Sequence, residues 1–261
     1  MSETLNWTSY VDTESSAEHD RLVLLEKLFD SDSRKLLDRA GVQPGWQCLE
    51  VGAGAGSVAR ILADLAGVDN VTATDMSTAL LAPLAESGVR VLRHDVATDD
   101  APGEFDLIHS RFVLEHVTRR DLALRRMASW LKPGGVLVVE SAAPMPEVSS
   151  DPTVGRVLAA MTEQFWRSVG TDAAWARTLP VPLEEAGLVD CVAEGTVIPA
   201  RGGSAFARWM IETHRLIERP AVSGGSITEA ELAHAYAAYA DPDFVDYTWL
   251  TVRAIGRRAG Q

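Results

Sequence analysis

Apolar residues along the chain fall into short runs that alternate with stretches of helical spacing. Behind Ser15-x-x-Glu18, a capping-box pattern, Leu22, Leu25, Leu28 and Phe29 recur every three to four positions and predict a helix. A second short helix is predicted from Ser33 to Gly41, with Pro44 enforcing the break. A regular rhythm follows: strand 47–51, helix 58–66 closed by Gly67, strand 70–74, helix 77–87 closed by Gly88, strand 89–93. Strand 105–110, helix 119–131, the turn Lys132-Pro-Gly-Gly135 and strand 136–141 complete it. Strands alternating with helices imply right-handed crossovers and a parallel sheet. Nearly continuous apolar strands such as Leu137-Val-Val139 imply cover on both faces.

After Ser141 the rhythm breaks. Helices are predicted over 157–169, 173–186 (interrupted near Pro180 and Pro182), 202–219 and 228–240, and strands over 188–198 and 244–255. Thr228-x-x-Glu231 offers a second capping box, with Ile227 and Leu232 placed as a hydrophobic staple. The expected architecture is α/β, a Rossmann-like, mostly parallel seven-stranded sheet with helices on both faces. Residues 1–44 are expected to join a helical cap on a domain of residues 45–261, with cap inserts at about 142–172 and 200–241.

Composition narrows the class. With 46% hydrophobic and 23% charged residues, the chain can bury a core. No apolar run approaches the roughly 20 residues of a membrane span, and the polar start lacks a signal-peptide pattern. A cytoplasmic location is expected. The formal net charge of −13 disfavours nucleic acid, whose phosphates are met by Lys and Arg. Cys48 and Cys191 lie in separate apolar runs without metal-ligand spacing, and both are expected to be buried thiols. No metal site is expected.

The chemistry concentrates in Leu49-Glu-Val-Gly-Ala-Gly-Ala-Gly-Ser57, where a strand runs into Gly52-x-Gly54-x-Gly56 and then a helix. Glycines permit a tight turn and let a ligand lie against bare backbone, and helix-start amides attract polar or negative groups. Gly54-x-Gly56-x-x-Ala59 also fits the looser dinucleotide fingerprint. Asp75 closes the second strand, 19 residues after Gly56, where a carboxylate can accept from ribose hydroxyls. Asp95 follows the third strand, where it can accept from an adenine amino group. The plainer alternatives are a ligand-free Gly-rich turn, a turn-forming Asp75 and a loop Asp95.

In this order and spacing the motifs resemble the class I S-adenosylmethionine (SAM) methyltransferases. The resemblance covers most of 47–141 and extends more loosely to the last strand. Glu50-Val-Gly-Ala-Gly-Ala-Gly56 is similar to the family's first motif, with Glu50 where Asp is usual. His94-Asp95-Val96 is similar to its adenine-binding segment. Phe105-Asp-Leu-Ile-His-Ser-Arg-Phe-Val-Leu-Glu-His116 is similar to the fourth-strand motif that lines the active site, and 131–137 to the turn before the fifth strand. The resemblance implies cofactor contacts from Tyr10, Glu50, Gly52, Ala53, Gly54 and Gly56. It implies others from Asp75, Met76, Asp95, Val96, Ser110 and Arg111. Tyr10 to Arg21, Trp175-Ala-Arg177 and Gly202-Gly-Ser204 are similar to bacterial small-molecule methyltransferases of specialised metabolism, which implies a natural-product acceptor and allows a homodimer.

Methyl transfer from a sulfonium requires acceptor and methyl to meet in line, with a base where an O or N acceptor loses a proton. His116, just after the fourth strand, is the candidate base; packing at a helix start is its alternative. Glu115 is expected to be structural or a cofactor contact, and His109, inside an apolar strand, a satisfied core histidine. Arg208 and Arg215 flank His214 on one helix face, read as solvated. The inserts are rich in aromatics, and Trp166, Phe206, Trp209 and Tyr236 are the candidate acceptor contacts. Two rivals use the same glycine loop: a nicotinamide-dependent oxidoreductase, and a SAM-binding protein that catalyses a reaction other than methylation, such as a cyclisation.

Overall fold

A computed structural model describes residues 15–260. Seven strands form one sheet: β1 (Cys48–Val51), β2 (Val71–Asp75), β3 (Arg90–Arg93), β4 (Phe105–Arg111), β5 (Leu131–Pro144), β6 (Val189–Arg201) and β7 (Val245–Arg257). Their order is β3-β2-β1-β4-β5-β7-β6. Strands β1 to β5 pair in parallel, and β7 runs antiparallel to both β5 and β6. This is the mostly parallel α/β sheet that the alternating pattern predicts.

The sheet separates two cores because successive side chains point to opposite faces. Cys48, Leu107, Val136 and Val138 face the helices α1 (Ser16–Ala40) and α2 (Ser57–Ala66). Leu49, Ile108, Leu137 and Val139 face α4 (Arg120–Trp130). A third apolar cluster lies above the sheet and forms the cap. It joins the first half of α1 to α5 (Pro152–Val169), α7 (Ala205–Arg215), α8 (Glu218–Ser223), α9 (Glu229–Ala240) and Trp249 of β7.

Several predicted helices differ in extent. The two lead helices are one continuous helix, α1, ended by Gly41 in the left-handed region. Its cap is half a capping box: Ser15 accepts from the Glu18 N–H at 3.2 Å, but the Glu18 carboxylate turns to Arg21. The helix predicted over 77–87 is a 3-10 turn followed by the short α3 (Ala82–Glu86), with Pro83 at its start. The helix predicted over 202–219 breaks into α7 and α8, where Pro220 has no N–H to offer the carbonyl of Leu216. The stretch 173–186 folds as a 3-10 turn and the short α6 (Val181–Glu185), which starts after Pro180 and carries Pro182 in its first turn.

The capping box at Thr228 forms as the pattern requires. Gly202 is required sterically: a Cβ there would sit 1.8 Å from the carbonyl oxygen of Asp241, so the chain entering α7 can lie against the end of α9. Cys48 is buried, whereas Cys191, on the exposed β6, is only half-buried.

Candidate active site

The glycine loop leaves β1 at the carboxyl edge of the sheet, where ligands bind in open α/β folds. Gly52 and Ala53 donate their N–H groups to the carbonyl of Thr74, at 2.8 and 2.9 Å, which folds the loop back against β2. A Cβ on Gly52 would lie 2.1 Å from Val113 Cγ2, so only glycine lets the segment after β4 cross here. Gly56 caps α2 with φ of 88°. At the end of β2, Asp75 accepts from the N–H of Gly54 at 2.9 Å and of Ser77 at 3.0 Å. Burial raises its pKa against these hydrogen bonds. Asp95 accepts from the Ala97 N–H at 2.8 Å.

These elements open into a cavity of about 390 Å³ that continues under the cap. Glu50, Gly52, Ala53, Gly54, Asp75, Met76, Asp95, Val96 and Arg111 line it, as does His116. Gly56 and Ser110 do not; Ser110 is buried in β4, and Gly56 is turned to Leu81 and Leu84. Tyr10 lies outside the described residues.

The helical pattern of α1 carried a signal that sequence reading missed. Glu18, Arg21, Leu22, Leu25 and Glu26 follow the i, i+3, i+4, i+7, i+8 stripe of one helix face, and all five line the cavity.

Beneath the loop a charged row crosses the sheet on the α1 face. His109 is fully buried, with Nδ1 2.7 Å from Glu50 Oε2 and Nε2 3.1 Å from Glu140 Oε1. Arg253 Nε donates to Glu140 Oε2 at 2.9 Å, and Ser33 Oγ donates to Glu140 Oε1 at 2.5 Å. Burial opposes charging His109, but the two carboxylates outweigh it and hold its pKa up at about 9. Burial also disfavours the Glu140 carboxylate, yet His109, Arg111 and Ser33 hold it down at about 2. Arg111 donates to Asp30 (3.0 Å), Ser33 (2.8 Å) and Ser57 (3.0 Å), tying α1 and α2 to β4. This row is a saturated structural network, and it contains the core histidine expected from the apolar strand.

The residue after β4, Phe112, holds φ at 55°, a left-handed conformation that non-glycine residues rarely adopt. It turns the chain so that Val113–His116 runs along the cavity wall. His116 Nδ1 lies 2.7 Å from Thr171 Oγ1. Burial, then the guanidiniums of Arg21 and Arg120, push its pKa down to about 3. This corrects the expectation of an imidazole poised near neutrality: the ring is neutral and weakly basic. Its neighbour Glu115 is 4% exposed and lines the same cavity. Its Oε1 accepts from the Ala142 N–H at 3.3 Å, and the Ser141 hydroxyl and its own backbone N–H also favour the carboxylate. Burial raises Glu115 to about 7.

Of the four aromatic residues expected to meet an acceptor, the structure brings only Trp209 to the cavity. Trp166 is 54% exposed, because it stands one position, about 100° of helix, beyond the cavity-facing Phe165. Phe206 is buried behind the wall, packed on Trp209 and Trp249. The Tyr236 hydroxyl donates to Glu218 at 2.7 Å within the cap. Trp249 and Met161, not singled out from sequence, do line the cavity. Arg208 and Arg215 are exposed, as a solvated face requires.

The sheet order, the glycine loop and the acidic strand ends form a Rossmann-like α/β fold with a ligand cavity at the carboxyl edge of its sheet. Residues 49–139 match the family described as methyltransferase domain. The chain is similar to a trans-aconitate 2-methyltransferase of Variovorax paradoxus, 31% identical over 157 residues, 58% of each chain. Among solved structures it is similar to the YcgJ protein of Bacillus subtilis (16% identity, 88% of this chain and 100% of that one, TM-score 0.60). It is also similar to a Haemonchus contortus phosphoethanolamine N-methyltransferase 2 in complex with S-adenosylhomocysteine (18% identity, 88% of this chain and 53% of that one, TM-score 0.56). The chain spans less than two thirds of the length of the curated relatives it matches.

The donor set fits SAM. Among the described residues, six carboxylates and three guanidiniums line the cavity, which suits a ligand carrying a sulfonium and an ammonium. Asp75 and Asp95 stand where ribose and adenine donors would be met, with apolar Met76 and Val96 beside them.

Proposed function

We propose that the chain transfers the methyl group of SAM to a small-molecule acceptor held under the helical cap. The observation that carries this reading is the continuity of one cavity from the glycine loop and Asp75 to an aromatic wall on α7 and β7, with Glu115 lining it. When bound, SAM supplies an electrophilic methyl group and a neutral thioether leaving group. Asp75 and Asp95 hold its nucleoside, and the carboxylates of Glu18, Glu26 and Glu50 favour its positive charge. The cap would exclude water and hold the acceptor where it could meet the methyl group. We assign proton removal from an O or N acceptor to Glu115, whose place on the cavity wall and pKa near 7 suit that work better than the weakly basic His116.

The test is a metabolite screen with methyl-labelled SAM, following label transfer and product mass together. Product carrying one added labelled methyl group supports the reading. Substrate conversion at unchanged mass, with SAM intact, would replace it with a non-methylating reaction.

A further inference from the structure

The cavity is open to solvent at one place. Of the described residues that line it, only Thr98, Thr118 and Arg119 are exposed. Thr118 and Arg119 sit against the end of the cap. A Cβ on Gly170, which closes α5, would lie 2.8 Å from Thr118 Cγ2, and the Asp172 N–H donates to the Glu115 carbonyl at 2.8 Å. Arg119 therefore stands where the cap meets solvent.

This arginine differs from the other two of the wall. Arg21 is held by Glu18 at 2.7 Å, and Arg111 by Asp30 at 3.0 Å, Ser33 at 2.8 Å and Ser57 at 3.0 Å. The next arginine in the chain, Arg120, turns to Asp172 at 3.1 Å. The Arg119 side chain has no hydrogen bond or ion pair with any described residue. Its charge is left for something that enters from outside.

Inward from the open end the character of the wall changes. Leu158, Met161 and Phe165 of α5, Trp209 and Met210 of α7 and Trp249 of β7 make it mostly hydrocarbon. Among the described residues, these three elements bring no Asp, Glu, Lys or Arg to the cavity. A charged group drawn in here would lose its hydration, whereas an apolar body gains in proportion to the area it buries. At the open end the balance reverses. A carboxylate can accept two N–H groups from a guanidinium fork there and still keep water on its outer side. The two ends call for the two parts of one molecule.

We propose that the acceptor is an amphipathic acid, with a hydrocarbon body under the cap and a carboxylate held at the open end by Arg119. This rests on the reading that the cap end of the cavity holds the acceptor.

The test uses protein saturated with S-adenosylhomocysteine, whose own affinity is measured first by calorimetry. Three probes on one ring system are then titrated: 2-naphthoate (anion), 2-acetylnaphthalene (neutral) and 2-naphthylmethylamine (cation). Acetate, a carboxylate without the body, is the fourth. 2-Naphthoate should bind about three-fold or more tighter than the ketone, with that preference fading at high salt. The amine should bind most weakly, and acetate should show no saturable binding. Arg119→Gln should bring 2-naphthoate down to the level of the ketone, with ketone and S-adenosylhomocysteine affinities unchanged. Arg119→Lys, which keeps the charge without the fork, should restore part of the preference. The proposal is overturned if 2-naphthoate binds no tighter than the ketone, if Arg119→Gln keeps the preference, or if acetate binds as well as 2-naphthoate. It is equally overturned if Arg119→Gln weakens S-adenosylhomocysteine as much as 2-naphthoate, which would assign Arg119 to the cofactor. Failure of S-adenosylhomocysteine to bind the parent would instead remove the methyl-transfer reading, and the same probe series on the unsaturated protein would still decide the role of Arg119.

Discussion

Two sets of buried polar groups lie within the same fold and differ in one respect. On the α1 face of the sheet, His109, Glu50, Glu140, Arg253 and Ser33 satisfy one another. Around the cavity, among the described residues, Glu115 has only the Ala142 N–H, its own N–H and the Ser141 hydroxyl and no cation paired with it, and Trp209 Nε1, His214 Nδ1 and Trp249 Nε1 are without partners. A buried polar atom without a partner costs about 1–3 kcal/mol, so a protein keeps several in one place only where something else answers them. The first set ties strands β1, β4, β5 and β7 together, with Glu50 also at the cavity edge, and the residues of the second set line the cavity. Burial alone does not separate them, since every residue in both sets is under 9% exposed.

The largest expected effect falls on the saturated set. His109→Ala would leave Glu50 and Glu140 buried without their shared cation, and should cost about 3–5 kcal/mol of unfolding free energy. Urea unfolding at neutral pH reads it. The same histidine sets a pH dependence. Its pKa rises from 6.5 to about 9 on folding, so its contribution is complete below pH 6.5 and is lost as pH climbs towards 9. The parent should lose stability across that window, and His109→Gln should not show that loss.

On the cavity side, Glu115→Gln should lower turnover about 100-fold or more with an O or N acceptor, with SAM affinity little changed. In the parent, turnover should rise with pH through about 7, where Glu115 gives up its proton. His116→Ala should have a smaller effect and should keep that pH profile, because His116 does not titrate near neutrality. Asp75→Ala should weaken SAM binding about ten-fold, the loss of a charged hydrogen-bond acceptor worth about 1.5–3 kcal/mol. Calorimetry checks it, and unchanged affinity in folded protein would take Asp75 out of the site. Trp166→Ala, at an exposed position, should shift stability by no more than about 0.5 kcal/mol and leave acceptor affinity alone.

The same division explains what could be read from the chain. The glycine loop, Asp75 and Asp95 are local signals, each fixed by its place at a strand end. The charged row is not local: His109 bonds residues 59 and 31 positions away, and Arg253 reaches Glu140 across 113. The polar run Asp30-Ser-Asp-Ser33 looks like a break between two helices for the same reason. It is polar because this turn of α1 lies over the row, where Asp30 meets Arg111, Asp32 meets Arg253 and Ser33 meets Glu140. In the cap, counting aromatics identified the right segments but not their faces. One residue of rotation separates the exposed Trp166 from Phe165, and one layer of packing separates Phe206 from Trp209.

The distinction between the two sets can be tested without knowing the acceptor. The measurement is urea unfolding at pH 8 of the parent, Glu115→Gln and His109→Gln. Above pH 7 the parent holds Glu115 as a buried anion without a salt-bridge partner among the described residues, its pKa raised by burial, so neutralising it should raise stability by about 1–3 kcal/mol, whereas His109→Gln should lower it. A Glu115→Gln protein that loses stability alongside His109→Gln would place Glu115 in the structural network and contradict its assignment to the ligand-facing wall.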